Sequence, residues 1–504
     1  MADYDEKRGS LRLTVSSLPS DTDGYDGGQQ KEPLAPRPSG MASTSRALQD
    51  WTTPALMVSY FVFSTALYTL IPDGGRKVFW FLYLTVATLV AGITALEAYD
   101  GLTLLNEARK AIKKTDGVDG KFKTAEDQVP GLHLIFDAGQ EDGLVDADSI
   151  TCMADELVYP EDKVTITVLR TSGLMTPTLD YIGNGKLHNL RVLTVPVTAS
   201  TSAASRVAYC LALDSHQPAI SITGLFAADE RPHPHAARHA VEKLLQDAKI
   251  DIVQGRDIKV STGSFLDNLI TIEHDLTHAL CKPGGSLTWG FSMPTGTNAY
   301  WRTEALRAAA TSTAIVRSEG LDLPYAALAR NLRTVFDLKV ISYSSCAPNL
   351  VAYCREQVAL ARRLAIATGR YTTLAFKRHR TGAEQTRAKW APKKRFSVIY
   401  TLPLSRLVTH AILQYFCMSL ALLCIATPHS AADLARTLYF PFPVSIWFVA
   451  IGVLCLVATV AMAYMARSEF VSFWTAPLMV LTYPLLVFFH AGVDVYGQAS
   501  AIVT

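Results

Sequence analysis

The chain has 504 residues, 49% of them hydrophobic, with 47 Lys and Arg against 45 Asp and Glu. That length accommodates a membrane region and one or two soluble domains. The near-balance of charge excludes the basic profile of a nucleic-acid binder. The eight cysteines (Cys152, Cys210, Cys281, Cys346, Cys354, Cys417, Cys424 and Cys455) are scattered, with no Cys-x-x-Cys pair, and three sit in apolar runs. Their spacing argues against a disulfide scaffold or a zinc site and fits a domain kept in reducing cytosol.

In chain order, Met1 to about Asp50 is polar and rich in Asp, Gly, Ser and Pro, which predicts a disordered tail (residues 1–50). An apolar run that begins only after fifty polar residues is not placed as a cleaved signal peptide. Five stretches carry no charge over the length of about 20 residues that a bilayer-crossing helix needs. They are Pro54–Ile71, Val78–Leu96, Leu407–Thr427, Val444–Met465 and Phe473–Val493. Two spans (51–98) therefore precede a polar middle region (99–396), and about three follow it (397–504). Lys377, Arg378, His379, Arg380, Arg387, Lys389, Lys393, Lys394 and Arg395 crowd ahead of the third span. The positive-inside rule makes that flank, the middle domain and the N-terminal tail cytosolic. Trp390, Phe396 and Tyr400 in the same stretch suit either a headgroup-layer segment or a solvated linker. Pro477 and Pro484 are expected to kink the last span. Spans with few ionisable residues and no internal repeat argue against a transporter.

Within the middle region, Leu132–Phe136, Val164–Leu169, Leu190–Val195, Ala219–Phe226 and Ile250–Val253 are short, β-branched and bounded by turn residues, as buried strands are. Between the last two, a helix over His235–Ala248 would pack on the sheet through Val241, Leu244, Leu245 and Ala248. Strands alternating with helices predict an α/β fold with a mostly parallel sheet, whose ligands bind beyond the carboxyl ends of the strands.

Candidate site residues lie just after those strands. Asp229 and Glu230, before two prolines and a helix, are placed to hold a divalent cation against phosphate, or to form a solvated turn. His233, His235 and His239 lack a partner at ligand spacing, so a metal role for them is disfavoured. Gln254 and Arg256 come after a strand, where Arg256 either meets phosphate or pairs with a neighbouring acid. Tyr300 and Trp301 either stack on a sugar or belong to the core. Asp322 is either a functional acid or the N-cap of a helix over Tyr325–Leu332.

Asp251-Ile252-Val253-Gln254-Gly255-Arg256, Gly296-Thr297-Asn298-Ala299-Tyr300-Trp301-Arg302 and Ser318-Glu319-Gly320-Leu321-Asp322, in that order and spacing, resemble the membrane-bound family 2 glycosyltransferases, nearest to fungal members that make cell-surface polysaccharide. The resemblance covers about Leu132 to Arg370 and the flanking spans. It implies a cytosolic GT-A-like domain flanked by transmembrane helices, in the plasma membrane or Golgi/ER. The implied reaction is inverting transfer from a UDP-sugar to a growing glycan or lipid acceptor, with Mg²⁺ or Mn²⁺. It assigns Asp229 and Glu230 to metal, Asp229, Gln254 and Arg256 to donor binding, and Glu319 or Asp322 to catalysis. Tyr300, Trp301, Gln357, Arg362 and Arg363 fall to acceptor binding.

The chain departs from the family pattern at several positions. Arg170-Thr171-Ser172 stands where the first Asp is expected, and Ala227-Ala228-Asp229 where an Asp-x-Asp is. Gly320 holds the place of the base, and Leu360-Ala361 that of Arg-Trp. The resemblance therefore implies either a rewired enzyme or an inactive relative that partners an active synthase.

Overall fold

The computed structural model describes residues 40–115, 122–138, 147–171, 189–196, 202–214, 220–291, 293–311, 322–347, 349–376, 378–381, 386–434 and 445–503. The chain divides between Leu48 and Gln49. Of the first unit only the helical residues from Gly40 onward are described; the sheet and the helices packed on it belong to the second.

Eight strands form one sheet: β1 (Gly131–Asp137), β2 (Val164–Thr171), β3 (Leu190–Val195), β4 (Ile220–Ala227), β5 (Arg231–Pro232), β6 (Ile252–Val260), β7 (Ala299–Arg302) and β8 (Thr334–Ser345), in the order β3-β2-β1-β4-β7-β6-β8-β5. The pairs β3–β2, β2–β1, β1–β4 and β6–β8 are parallel; β7 runs antiparallel between β4 and β6, and β5 antiparallel at the edge. The sheet is thus mixed and mostly parallel. All five expected strands are present, within two residues at each end except that β6 runs seven residues beyond Val253 to Val260. The short β7 and the twelve-residue β8 were not anticipated.

Helices cover both faces, so most strand positions are buried. On one side α3 (Ala147–Glu156) and α5 (Ala236–Gln246) close a core around Leu132, Leu134, Phe136, Phe226 and Tyr300. On the other, α4 (Ala203–Leu213) closes one around Ile135, Leu169, Leu225 and Trp301. In α5 the inward stripe is Ala237, Ala240, Val241 and Leu244, spaced by three and four residues. Leu245 is 46% exposed, and the helix stops at Gln246 before reaching Ala248, so the expected contacts of those two residues do not form.

The ladder between β6 and β8 shifts register between Gln254 and Arg256. Gly255 occupies that irregularity, where a Cβ would lie 2.4 Å from the Val340 carbonyl oxygen and 2.5 Å from the Asn298 amide. Only glycine permits such backbone approach.

Beneath the sheet, α6 (Phe265–Asp275), a π-helical turn (Leu276–Cys281) and α7 (Lys282–Trp289) run as one continuous rod. It packs on the apolar helices α2 (Asp73–Thr115), α13 (Ser445–Ala466) and α14 (Thr475–Val503); the other apolar helices are α1 (Gly40–Leu70) and α12 (Ser405–Ile425). (The connecting α8, α9, α10 and α11 are Thr303–Ala310, Asp322–Ala329, Leu350–Tyr371 and Pro392–Ile399.) The rod meets α2 at backbone contact. A Cβ on Gly101 would lie 2.1 Å from the Leu280 oxygen, and one on Gly284 1.6 Å from the Glu97 oxygen. The Trp289 indole N–H and the Thr288 hydroxyl donate to Glu97 and Asp100 at 2.6 Å each, which seals the joint.

Among the described residues, four helical stretches are long and apolar enough to cross a membrane: Trp51–Leu70, Asp73–Lys114, Pro392–Ile425 and Leu485–Val503. A fifth expected span coincides with α13, whose described apolar stretch is Val453–Ala466. These helices expose Val62, Phe63, Leu70, Leu454 and Leu485, while Tyr60, Ser64 and Tyr68 of α1 bond inward to Gln414 of α12. Apolar outside and polar inside is the arrangement a lipid environment requires.

A buried ion pair fixes sheet to rod to apolar helix. Arg256 Nη2 donates to Asp275 Oδ1 at 2.6 Å and to the Ala466 carbonyl at 3.1 Å, and Asp275 Oδ2 accepts from the Ser468 N–H at 2.8 Å. Arg256→Leu would leave Asp275, 1% exposed, without its cation. Breaking such a pair on one side costs about 3–5 kcal/mol. Thermal unfolding of the detergent-solubilised variant is expected to show a loss of that order, partly restored in Arg256→Leu/Asp275→Leu.

Candidate functional site at the carboxyl edge of the sheet

The strands β1, β2, β4, β6 and β8 all end at one edge of the sheet, and their last residues supply its chemistry. Asp137 closes β1 directly opposite Ala227 of β4. Arg206 of α4 holds it in a two-pronged pair, Nε to Oδ1 and Nη2 to Oδ2, both 2.7 Å. Near the end of β2, Arg170 donates to the Thr194 hydroxyl of β3 at 2.9 Å. The family resemblance implies an acid at this position; Ser172 lies outside the described residues.

After β4 the chain turns tightly through Ala227–Glu230, closed by the Glu230 N–H donating to the Ala227 oxygen at 3.2 Å. Asp229 faces outward and accepts from the Ser345 hydroxyl, at the end of β8, at 3.0 Å. Glu230 instead turns inward. It is 5% exposed and its Oε2 accepts from the Ala227 N–H at 3.1 Å. Burial, with the Asp257 carboxylate next, pushes its pKa up to about 8. Its buried carboxyl favours the neutral form and braces the turn from within.

A further carboxylate comes from β6. Asp257 accepts from the Ser344 hydroxyl at 2.8 Å and the Ser342 hydroxyl at 3.4 Å. Burial raises its pKa, while Lys259 and the serine hydroxyls act to lower it. Lys259 donates to the Ser345 oxygen at 3.0 Å. Burial alone would depress the Lys259 ammonium, yet Asp257, Asp229 and Glu230 together hold it above its ordinary value. Behind Asp257 stands His274 of α6, Nε2 3.3 Å from Oδ2, stacked on His278 with ring centroids 3.9 Å apart; His278 in turn meets Lys282 Nζ at 2.9 Å. Burial, then Lys259 in the case of His274 and the neighbouring His274 in that of His278, keeps both imidazoles neutral. Burial lowers Lys282 to about 8. A polar chain thus runs from the sheet edge into the rod.

Asp229, Asp257 and the serine hydroxyls of β8 are hard oxygen donors of the kind that magnesium or manganese takes. Lys259 beside them, and Arg170 at the β2 end, are cations suited to phosphate oxygens.

Of the remaining sequence candidates, Gln254, 1% exposed, is a strut: its Nε2 donates to the Thr297 and Asn298 oxygens at 2.8 and 3.1 Å, and its Oε1 accepts from the Thr295 N–H at 2.9 Å. It holds a loop in which Gly296 and Asn298 have φ of 101° and 46°. Arg256 spends its charge on Asp275 and meets no phosphate edge. Tyr300 and Trp301 are both 0% exposed, one in each core, so neither ring offers a face to a sugar. Asp322 is 1% exposed in the first turn of α9, while Glu319 lies outside the described residues. Gln357 and Arg363 are half-buried and Arg362 is exposed on α10, which crosses α14 where Gly497 meets Ala361. His233, His235 and His239 form no candidate metal group among the described residues; His235 and His239 pack against Phe122.

Sequence reading did not single out Asp137, Arg206, Asp257, Lys259, Ser344, Ser345 or His274. For Asp257 and Lys259 the signal is present: Arg256-Asp257-Ile258-Lys259-Val260 continues the strand in period two, with polar side chains on one face.

No family model matches the chain, and no curated protein matches it. Among solved structures, a mannosyltransferase from Pyrobaculum calidifontis in complex with GDP-Man and Mn²⁺ is similar over 79% of this chain and 99% of its own, at 17% identity and a TM-score of 0.45. A glucosyl-3-phosphoglycerate synthase from Mycobacterium tuberculosis, in complex with Mn²⁺, uridine diphosphate and phosphoglyceric acid, is similar over 53% of this chain and 82% of its own, at 14% identity and 0.32. At these TM-scores neither fixes what this chain does; its own side chains must.

A group whose folded pKa lies above its ordinary value contributes most at low pH and loses that contribution as pH rises through the folded value. From the ordinary value of 4.5 up to about 8, ionising Glu230 therefore opposes folding. The wild-type melting temperature is expected to fall from pH 6 to pH 9, and Glu230→Gln to remove part of that fall. Parallel melts of the two proteins across that range are the measurement.

Proposed function

We propose that the chain is a membrane-bound glycosyltransferase with a GT-A-like cytosolic domain, two apolar helices before it and about three after. In this reading it transfers a hexose from a nucleoside diphosphate sugar, UDP-linked by the motif resemblance, to a growing glycan or a lipid acceptor. The observation that carries it is the convergence of Asp229 and Asp257 at the carboxyl ends of β4 and β6, beside Lys259 and the β8 serines. It supports a site for a diphosphate and a divalent cation at the edge where mostly parallel sheets bind ligands.

A bound Mg²⁺ or Mn²⁺ would stabilise the charge that develops on the leaving diphosphate. Asp229 and Asp257 would hold that ion, Lys259 would face a phosphate oxygen, and Arg170 would meet the nucleotide from the β2 side. In the transfer, the acceptor hydroxyl oxygen forms a bond to the anomeric carbon as the bond to the diphosphate breaks. A carboxylate takes the hydroxyl proton, and Asp322 and Glu319 are the residues proposed for it. Gln357, Arg362 and Arg363, on the helix that packs against α14, are proposed to line the acceptor's path.

A second reading, an inactive relative that binds and regulates an active synthase, is favoured by the inward, neutral Glu230 and the buried Asp322. Turnover separates the two. Nucleoside diphosphate release by the purified full-length protein is to be screened over UDP-glucose, UDP-GlcNAc, UDP-galactose, UDP-glucuronate and GDP-mannose with Mg²⁺ or Mn²⁺. Asp229→Ala is expected to lower release by about a hundredfold or more, the cost typical of losing one electrostatic stabiliser. No release from any donor by folded protein sinks the enzyme reading and leaves the second.

A further inference from the structure

Away from that edge, three side chains that the sequence keeps far apart meet under the sheet. His133 stands on β1, four residues before Asp137, or about 13 Å back along the strand at about 3.3 Å per residue. Cys210 lies in the last turn of α4, and Asp214 comes just after that helix. All three are buried, and their ligand atoms lie within 4.8 Å of one another. Asp214 Oδ2 is 3.7 Å from His133 Nδ1 and 3.9 Å from Cys210 Sγ. A tetrahedral ion with bonds of about 2.0–2.3 Å holds its ligands roughly 3.3–3.8 Å apart. The side chains are therefore spaced for an ion with little movement.

The ring of His133 is also oriented as ligating imidazoles are. Its Nε2 is engaged by the Thr167 hydroxyl at 2.8 Å, while Nδ1, aimed at Cys210 and Asp214, is buried without a hydrogen-bond partner. Fixing the far nitrogen in this way is the usual outer support of a metal-bound histidine. An unpaired polar atom on a fully buried side chain otherwise carries a desolvation cost with nothing to offset it.

The charge that now balances Asp214 is Arg191 of β3. Its Nη2 pairs with Oδ2 and its Nε donates to the Thr167 hydroxyl at 2.8 Å. The Arg191 side chain is 37% exposed, so it can yield Oδ2 and shift outward without crossing the core.

We propose that His133, Cys210 and Asp214 form a structural site for a divalent ion of borderline softness, zinc(II) above all, with the fourth position toward Arg191 left for water. One nitrogen, one thiolate and one carboxylate suit zinc and exclude magnesium or calcium, which take oxygen ligands only. This ion is separate from the one proposed at Asp229. Its effect is mechanical: it clips α4 to β1, and α4 carries the Arg206 that holds Asp137 at the edge. The scattered cysteine spacing hides such a site because each ligand comes from a different turn of the fold.

Cobalt(II) titration of the full-length, tag-free, chelator-stripped protein in detergent tests it. The expected result is about one cobalt per chain, with a near-ultraviolet thiolate-to-cobalt charge-transfer band that zinc(II) abolishes. That band is absent from Cys210→Ser and unchanged in Cys424→Ser. Since Cys210→Ser alters a buried position, the wild-type titration is decisive by itself. No thiolate band at micromolar cobalt, or a band that persists in folded Cys210→Ser, overturns the proposal. The readout does not depend on sugar transfer, so its failure and that of the glycosyltransferase reading are distinguishable.

Discussion

The Arg256–Asp275 pair is the interaction on which the rest of the arrangement depends. It lies in a protein interior where neither charge has water, so each requires the other. Strand β6 supplies the arginine, the rod beneath the sheet supplies the aspartate, and the end of α13 supplies a carbonyl and the turn after it an N–H to complete the set. One residue further along β6 stands Asp257, and three further stands Lys259. The pair that anchors the sheet on the apolar helices therefore also fixes the height at which the acidic edge sits. Glycines at 101 and 284 bring α2 against the same rod at backbone contact, which leaves that joint little freedom to slide.

Polar groups at the edge divide by the direction they face. Asp229 accepts from the Ser345 hydroxyl at the exposed edge, and Asp257 accepts from the Ser342 and Ser344 hydroxyls just inside it. Glu230 is adjacent in sequence and yet opposite in role, because the tight turn after β4 sends successive side chains outward and inward. Its burial favours the neutral form, and its acceptance from the Ala227 N–H braces the turn that presents Asp229. Two acids adjacent in sequence thus face opposite ways, while a further carboxylate, Asp257, reaches the edge from another strand.

Much of the fold was legible from pattern alone. β1 to β4 are recognisable as short β-branched runs, because a strand buried on both faces must be apolar at nearly every position. The apolar helices are recognisable by their freedom from charge. β8 was not anticipated: Asp337 and Lys339, alternating with buried Phe336, Leu338 and Val340, and the serines beyond them break the apolar run. The candidate site was legible only at Asp229. Gln254 and Arg256 are expected just after a strand and instead lie within β6, and the loop at 295–298 and Asp275, which claim them, are distant in sequence. Asp257 was hidden because the register shift at Gly255 extends the strand beyond its apolar segment. Tyr300 and Trp301 carry a motif's letters, yet as residues of a central strand they have both faces covered.

The central claim is that Asp229 and Asp257 together hold a cation against a nucleoside diphosphate. Calorimetric titration of UDP and of GDP into the full-length protein, with and without Mn²⁺, tests it most directly when repeated on Asp257→Asn. The account predicts binding of at least one nucleotide that requires Mn²⁺ and is weakened about tenfold or more by Asp257→Asn, a loss of about 1.4 kcal/mol. Binding that is indifferent to Mn²⁺ and to Asp257, or no binding of either nucleotide by folded protein, would contradict it.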